Sequence, residues 1–384
     1  MTGPGSPSAW RNANRARVVA VLREQGAVTQ AEIVRTTGLA SATVSNIVAE
    51  LRDEGLLERR DASPRAPLYF SERAGLVVGM DLDHRRLRVI IADQSHTVLA
   101  DFVQEMDVDH QATEAMRRAR EMTDDLLDKL GAQRSNVIAA GMGLSGPIDP
   151  QTGEVASSAI LPGWVGVRAG DAMSDALGLA VRVDNSANLA ALGESMWGAA
   201  RGCQHVAYVQ VGTGIGAGLL LEGRLYRGRY GTVGEIGHIV TDPGGALCRC
   251  GSRGCLETVA GLESLVRAAR RQHGPELDED GLLALVAAGD VGARRLVSDA
   301  GAAVGSAVAG LCNLLCPERI VIGGQLAATG EVLLEPLKRA VERDAIERVA
   351  LAVHIVGSEL GDRAETMGAV AIALDAAPVD RRTG

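Results

Sequence analysis

The stretch EIGHIVTDPGGALCRCGSRGCLE, residues 235–257, decides the fold. It opens Glu235-Ile236-Gly237-His238 and closes Cys248-Arg249-Cys250-Gly251-Ser252-Arg253-Gly254-Cys255-Leu256-Glu257. One histidine and three cysteines fall within eighteen positions. His238, Cys248, Cys250 and Cys255 suffice for a closed tetrahedral Cys3His zinc site, structural because no position is left open for water. The surrounding glycines permit the sharp turns of a metal knuckle. The alternative is a set of reduced thiols without metal. Cys312 and Cys316, four apart on an apolar helix over 304–315, read as packed core thiols.

Outward from this stretch, buried-strand patterns lie at 76–82, 87–93, from 98 onward, and at 137–144, 181–185 and 206–211. A long helix pattern occupies 112–130. Strands alternating with helices, with glycine-rich turns at strand ends, indicate an α/β body. The turn Gly212-Thr213-Gly214-Ile215-Gly216 could cradle phosphate, because glycines let consecutive backbone N–H groups approach an anion. A tight hairpin between two buried strands would use the same residues.

The first seventy residues read differently. Val18, Val21 and Leu22 share one face of a helix over 14–25, which Gly26 stops. Thr29 followed by Glu32 forms a capping box for a second helix carrying Ile33 and Val34. After Thr37-Gly38-Leu39, Ser41 is read as the cap of a third helix that buries Val44, Ile47, Val48 and Leu51. This is a helix-turn-helix. The outward residues of the third helix, Ser41, Ala42, Thr43, Ser45 and Asn46, are small enough to enter a major groove. Two short segments, Leu56-Leu57-Glu58-Arg59-Arg60 and Leu68-Tyr69-Phe70, flank a tip with Arg65 and read as a β-hairpin wing poised for a minor groove. A three-helix bundle that docks a protein is the competing reading.

Composition sets the outer limits. The chain has 384 residues, enough for two or three domains, with 46% hydrophobic but only 2% aromatic residues, so its core is aliphatic. Net charge is −9, yet the segment up to Arg73 carries ten arginines against eight acids. A mildly basic head on an acidic body suits a nucleic-acid module joined to a sensor or enzyme. No stretch approaches the apolar length needed to cross a bilayer and no signal peptide is visible, so a cytoplasmic location is the expectation.

Residues 235–257 closely resemble the signature of the ROK family of repressors and sugar kinases, and the resemblance runs from about 76 to 375. Supporting motifs are GPIDPQTG at 146–153, LPGW at 161–164, DNSANLAALGE at 184–194, GTGIGAGL at 212–219 and IGGQ at 322–325. The helix-turn-helix ahead of them matches the repressor branch. The resemblance implies an actin-like, two-lobed sugar-kinase fold with sugar and nucleotide between lobes, and dimers or tetramers. It implies a winged helix-turn-helix over 1–72 and a sensor domain over 76–376, its smaller lobe 76–185 plus the C-terminal helix and its larger lobe 186–362. It also assigns Asn185, Glu235, His238 and Glu257 to sugar hydroxyls, and Gly212, Thr213, Gly214 and Gly216 to a nucleotide site.

Three departures bear on activity. Kinases of the family read Asn-Asp-Ala-Asn where this chain has Asn185-Ser186-Ala187-Asn188. Ser186 thus stands where the resemblance implies an aspartate general base, and losing such a base costs about 10²–10⁴-fold. The first phosphate loop, usually Asp-x-Gly-Gly-Thr, is Asp81-Leu82-Asp83-His84-Arg85. Ile160 stands where an Asn often precedes LPGW. The expected protein is a sugar-responsive regulator, a repressor more than an activator, that binds an inverted-repeat DNA operator, holds structural zinc and is not an enzyme. A bifunctional sugar kinase with a DNA-binding head is the alternative, and a scaffold with relic sites the third reading.

Overall fold

A computed structural model describes residues 7–59, 61, 63, 65–83, 85–107, 110–155 and 161–376. His84 and Ile160, and with them part of the first phosphate loop and the position before LPGW, lie outside the described residues. The chain divides into two units, one of 1–142, 170–183 and 369–384, the other of 143–169 and 184–368.

The first unit begins with the head: α1 (Pro7–Gln25), α2 (Gln30–Thr37), α3 (Ser41–Asp53), β1 (Leu57–Arg59) and β2 (Leu68–Phe70). The Thr29–Glu32 capping box is present, with the Glu32 N–H donating to Thr29 Oγ1 and the Thr29 N–H to Glu32 Oε2. Gly38 ends α2 at φ 65, a left-handed position suited to glycine. Ser41 is the first helical residue of α3; the cap is Ala40, which makes no side-chain hydrogen bond. The expectation that Ser41 caps α3 is therefore corrected by one residue. Val44, Ile47, Val48 and Leu51 are buried with Val18, Leu22 and Ile33 in one core. β1 and β2 pair antiparallel, Leu57 opposite Phe70, and Val28 bridges to Leu68 as a third edge.

The body then runs β3 (Leu76–Leu82), β4 (Arg86–Asp93), β5 (Val98–Glu105), α4 (Ala112–Lys129), β6 (Val137–Leu144), α5 (Ala169–Leu177) and β7 (Val181–Asn185). The sheet order is β5-β4-β3-β6-β7. β3 is buried along almost its whole length because it is the central strand. The second unit holds α6 (Ser186–Trp197), β8 (Val206–Val211), β9 (Ile215–Leu221), β10 (Arg224–Leu225), α7 (Leu256–Ala260), α8 (Leu262–His273), α9 (Glu279–Ala287), α10 (Val291–Leu315), β11 (Arg319–Gly323), α11 (Glu331–Asp344), α12 (Glu347–Ala352) and β12 (His354–Gly357). The last helix, α13 (Ala364–Ala376), begins in the second unit and ends in the first. The second sheet has the order β10-β9-β8-β11-β12. In each sheet an antiparallel three-strand meander is followed by two further strands added beside its first member, so one topology occurs twice.

The second core is aliphatic, as the scarcity of aromatics requires. α10 and α11 cross through Gly301 and Gly305, where an added Cβ would lie 2.4 Å from Leu333 O and Leu337 O respectively. α10 is long and apolar enough, by length and composition, to cross a membrane, which corrects the expectation that no such stretch exists; here it packs in the core. Cys312 is buried on α10, but Cys316 is exposed at its left-handed C-cap, so only one of the two is a core thiol.

Candidate functional site

The cysteine-rich segment folds as a knuckle against β9 and α7. Cys248 N–H donates to Ser252 O at 2.8 Å, Gly251 N–H to Cys248 O at 3.0 Å and Gly254 N–H to Ala246 O at 2.9 Å. Gly254 has φ +65, and an added Cβ there would lie 1.4 Å from Asp242 O, so only glycine closes this turn. The loop gathers His238, Cys248, Cys250 and Cys255, whose ligand atoms all lie within 4.8 Å of one another. Cys248 Sγ is 3.5 Å from His238 Nδ1, and Cys250 Sγ is 3.6 Å from Cys255 Sγ. These four donors could hold a metal ion. Burial pushes the Cys255 thiol up to about 12 and raises Cys248, whereas the Ser252 N–H lowers Cys250.

Of the residues expected to meet a sugar, Glu235, His238 and Glu257 lie beside this knuckle. His238 turns Nδ1 to Cys248 and Nε2 toward Glu235, whose Oε2 is 3.8 Å away. Burial raises the Glu235 carboxyl, with Glu257 adding to the rise and His238 opposing it. Glu257, near the start of α7, accepts from the Ile215 N–H at 3.3 Å and faces Arg249 Nε at 3.6 Å. Asn185 is the N-cap of α6: its Oδ1 accepts from Ala187 N–H at 2.9 Å and Asn188 N–H at 3.3 Å, while Nδ2 donates to Gly146 O at 2.8 Å. Ser186 is the buried first residue of α6. A cavity of about 230 Å³ opens beside Thr213 and Glu257, with Arg249, Glu263, Ser264 and Arg267 among its lining.

In two loops, backbone N–H groups are engaged by the protein's own side-chain oxygens. At Gly212–Gly216, Thr213 N–H donates to Gln325 Oε1 at 3.1 Å, and Thr213 Oγ1 lies 3.2 Å from both Gln325 Oε1 and Glu279 Oε1. With Glu257 on the Ile215 N–H, three side chains grip this turn. At the β3–β4 turn, Asp83 Oδ1 accepts from Arg85 N–H at 2.6 Å and Arg86 N–H at 2.7 Å. The sequence offered no hint of Glu279, which stands 66 residues beyond Thr213. Arg227 was missed likewise; its Nε donates to buried Asp184 at 2.7 Å.

In the head, Ser41, Ala42, Ser45 and Asn46 are exposed on α3, Thr43 is half-buried, and Arg65 is exposed between the wing strands. The inward face of the same helix is fully committed to the core.

A winged helix-turn-helix head followed by a sugar-kinase-like α/β body is the class of protein these features define. A family model described as the MarR family matches residues 12–65, and one described as the ROK family matches residues 77–376. The chain belongs to the ROK family. The body is similar to a glucokinase of Halalkalibacterium halodurans, 37% identical over 250 residues that cover 61% of this chain and 76% of the glucokinase. Over nearly its full length the chain is similar to a xylose repressor of Caldicellulosiruptor bescii, 24% identical over 96% of this chain and 97% of the repressor. A solved ROK family transcriptional regulator, a homologue of the E. coli MLC protein, superimposes with a TM-score of 0.75 at 25% identity, covering 95% of this chain and 96% of its own.

Proposed function

We propose that the protein is a sugar-responsive transcriptional repressor. The observation that carries this reading is that the relatives matched end to end, head included, are a xylose repressor and a transcriptional regulator. Ser41, Ala42, Thr43, Ser45 and Asn46 read the major groove and Arg65 the minor groove. A homodimer or homotetramer presents paired heads to an inverted repeat. Asn185, Glu235, His238 and Glu257 bind sugar hydroxyls, since carboxylates and amides pair with vicinal hydroxyls.

The cluster His238, Cys248, Cys250 and Cys255 holds structural zinc. Ligand bonds of about 2.0–2.3 Å give tetrahedral edges of roughly 3.5–3.8 Å, which the Cys248 Sγ–His238 Nδ1 and Cys250 Sγ–Cys255 Sγ separations of 3.5 and 3.6 Å match. Zinc supplies a rigid anchor for the segment between Glu235 and Glu257, and His238 retains Nε2 for a ligand.

The body does not transfer phosphate. A hydroxyl at Ser186 cannot serve as base, and in both loops the backbone donors that phosphate needs already meet Asp83, Gln325 and Glu257. Nucleotide binding would have to displace two carboxylates and the Gln325 amide oxygen from those donors. The glucokinase likeness of the body favours the competing reading, a kinase with a DNA-binding head. The two are separated by one experiment. Operator fragments selected from random DNA are titrated with protein, with and without D-xylose or D-glucose, beside an ATP-turnover assay on the same sugars. Release of DNA by sugar without turnover supports the repressor. Sugar-dependent turnover sinks the non-enzyme reading.

A further inference from the structure

Arg23, near the end of α1, is a largely buried guanidinium in a region the sugar and DNA sites do not use. Its Nε and Nη2 both donate to Gln94 Oε1, at 2.9 and 2.8 Å, and its Nη1 donates to Leu374 O at 3.0 Å. Gln94 is itself buried and is oriented by its Nε2 donating to Ala74 O. His96 Nε2 donates to the Arg23 carbonyl, and Ser95 Oγ accepts from the Phe70 N–H at 3.0 Å. Gly26, where α1 stops, lies against the same turn; an added Cβ would sit 3.2 Å from His96 Cε1. The head thus meets the body through a polar joint, and Leu374 belongs to the last turn of α13.

The other end of α13 packs on α6 with backbone against backbone. An added Cβ on Gly193 would lie 2.7 Å from Ala364 O, and one on Gly368 would lie 1.8 Å from Leu189 O. No compressible side chain separates the helices there, so displacement of one must move the other. Glu194, fully buried on α6, also accepts from Leu360 N–H at 3.0 Å and from the Ser358 hydroxyl, so α6 grips the segment leading into α13 as well. The first residue before α6 is Asn185, its cap. We infer that Arg23 is a positioning residue that couples the reading head to α6 through α13: whatever moves the Asn185 end of α6 is felt by α1 through the Leu374 carbonyl and the Gln94 amide. α13 spans about 20 Å as a single helix, a stiff rod for such coupling. The inference extends the sugar-responsive reading by naming the route of the response, but its first test requires neither sugar nor DNA.

That test is a double-mutant cycle on the full chain. Amide exchange over residues 18–25 is followed in the parent protein, in Gly193→Ala, in Arg23→Gln and in the double variant. Gly193→Ala should change exchange there several-fold in the parent and leave it unchanged in the Arg23→Gln background. An equal effect in both backgrounds, or none in the parent, overturns the inference. Where Gly193→Ala does not fold, Ser358→Ala takes its place, and Gln94→Leu serves as the second break in the joint. A second arm adds D-xylose or D-glucose and the selected operator. Where a sugar weakens DNA binding by the parent, Arg23→Gln should keep the sugar's calorimetric affinity and lose the response; a full response in Arg23→Gln also overturns the inference. If neither sugar acts on the parent, the repressor reading suffers and the exchange cycle alone decides the coupling.

Discussion

His96 shows how a single residue ties stability to pH. It sits at φ 58 in the β4–β5 turn, and burial pushes its pKa down to about 4, opposed by the Arg23 carbonyl. The folded protein therefore holds it neutral at pH values where the unfolded chain, near 6.5, becomes protonated. Its contribution is complete above pH 6.5 and is lost as the pH falls from there toward 4. Melting temperature measured across that window should fall, and His96→Asn, which tolerates the left-handed conformation, should flatten this part of the slope. An unchanged slope in the variant would assign it to other groups. At this scale the sequence was partly legible. The Thr29–Glu32 capping box could be read because its partners are three residues apart, whereas Arg23 and Gln94, 71 apart, carry no local signal.

At the scale of elements, the knuckle and the wing make separate predictions. Cys250→Ser should lower bound metal from about one zinc per chain toward none and destabilise the second unit, since metal binding is coupled to folding. Elemental analysis of protein prepared without chelators checks this, and absence of zinc from the parent rejects the zinc assignment. In the wing, Arg65→Ala should weaken operator binding and shift preference at A·T-rich flanks rather than at the half-site centre, because a narrow minor groove attracts arginine. Footprints on variant operators report it; an unchanged flank preference removes Arg65 from the interface. The elements of the head, β3 to β8 and α4 were visible in advance because their periods were clean, whereas α5 to α9, α11, α13, β11 and β12 were not read from periodicity. β10 and α12, two and six residues long, were not, since so few positions cannot establish a period.

For the molecule as a whole, Glu257→Ala should abolish the sugar response while sparing operator affinity in sugar-free protein. A titration that still responds would move the effector away from Glu257. Ser186→Asp should not create a kinase, because Asp83 and Gln325 still occupy the loop donors; coupled turnover with hexoses tests that directly.

The sequence by itself determined the order of head and body, the clustering of one histidine with three cysteines and the presence of a serine at position 186, because each is written in residue identity or short spacing. Only the tertiary structure decided that one sheet topology occurs twice, that Glu279 and Gln325 close on Thr213, and that α13 reaches both Gly193 and Arg23. These depend on contacts between residues tens to hundreds of positions apart. Such contacts are set by which helices and strands pack together, and local pattern carries no record of that choice.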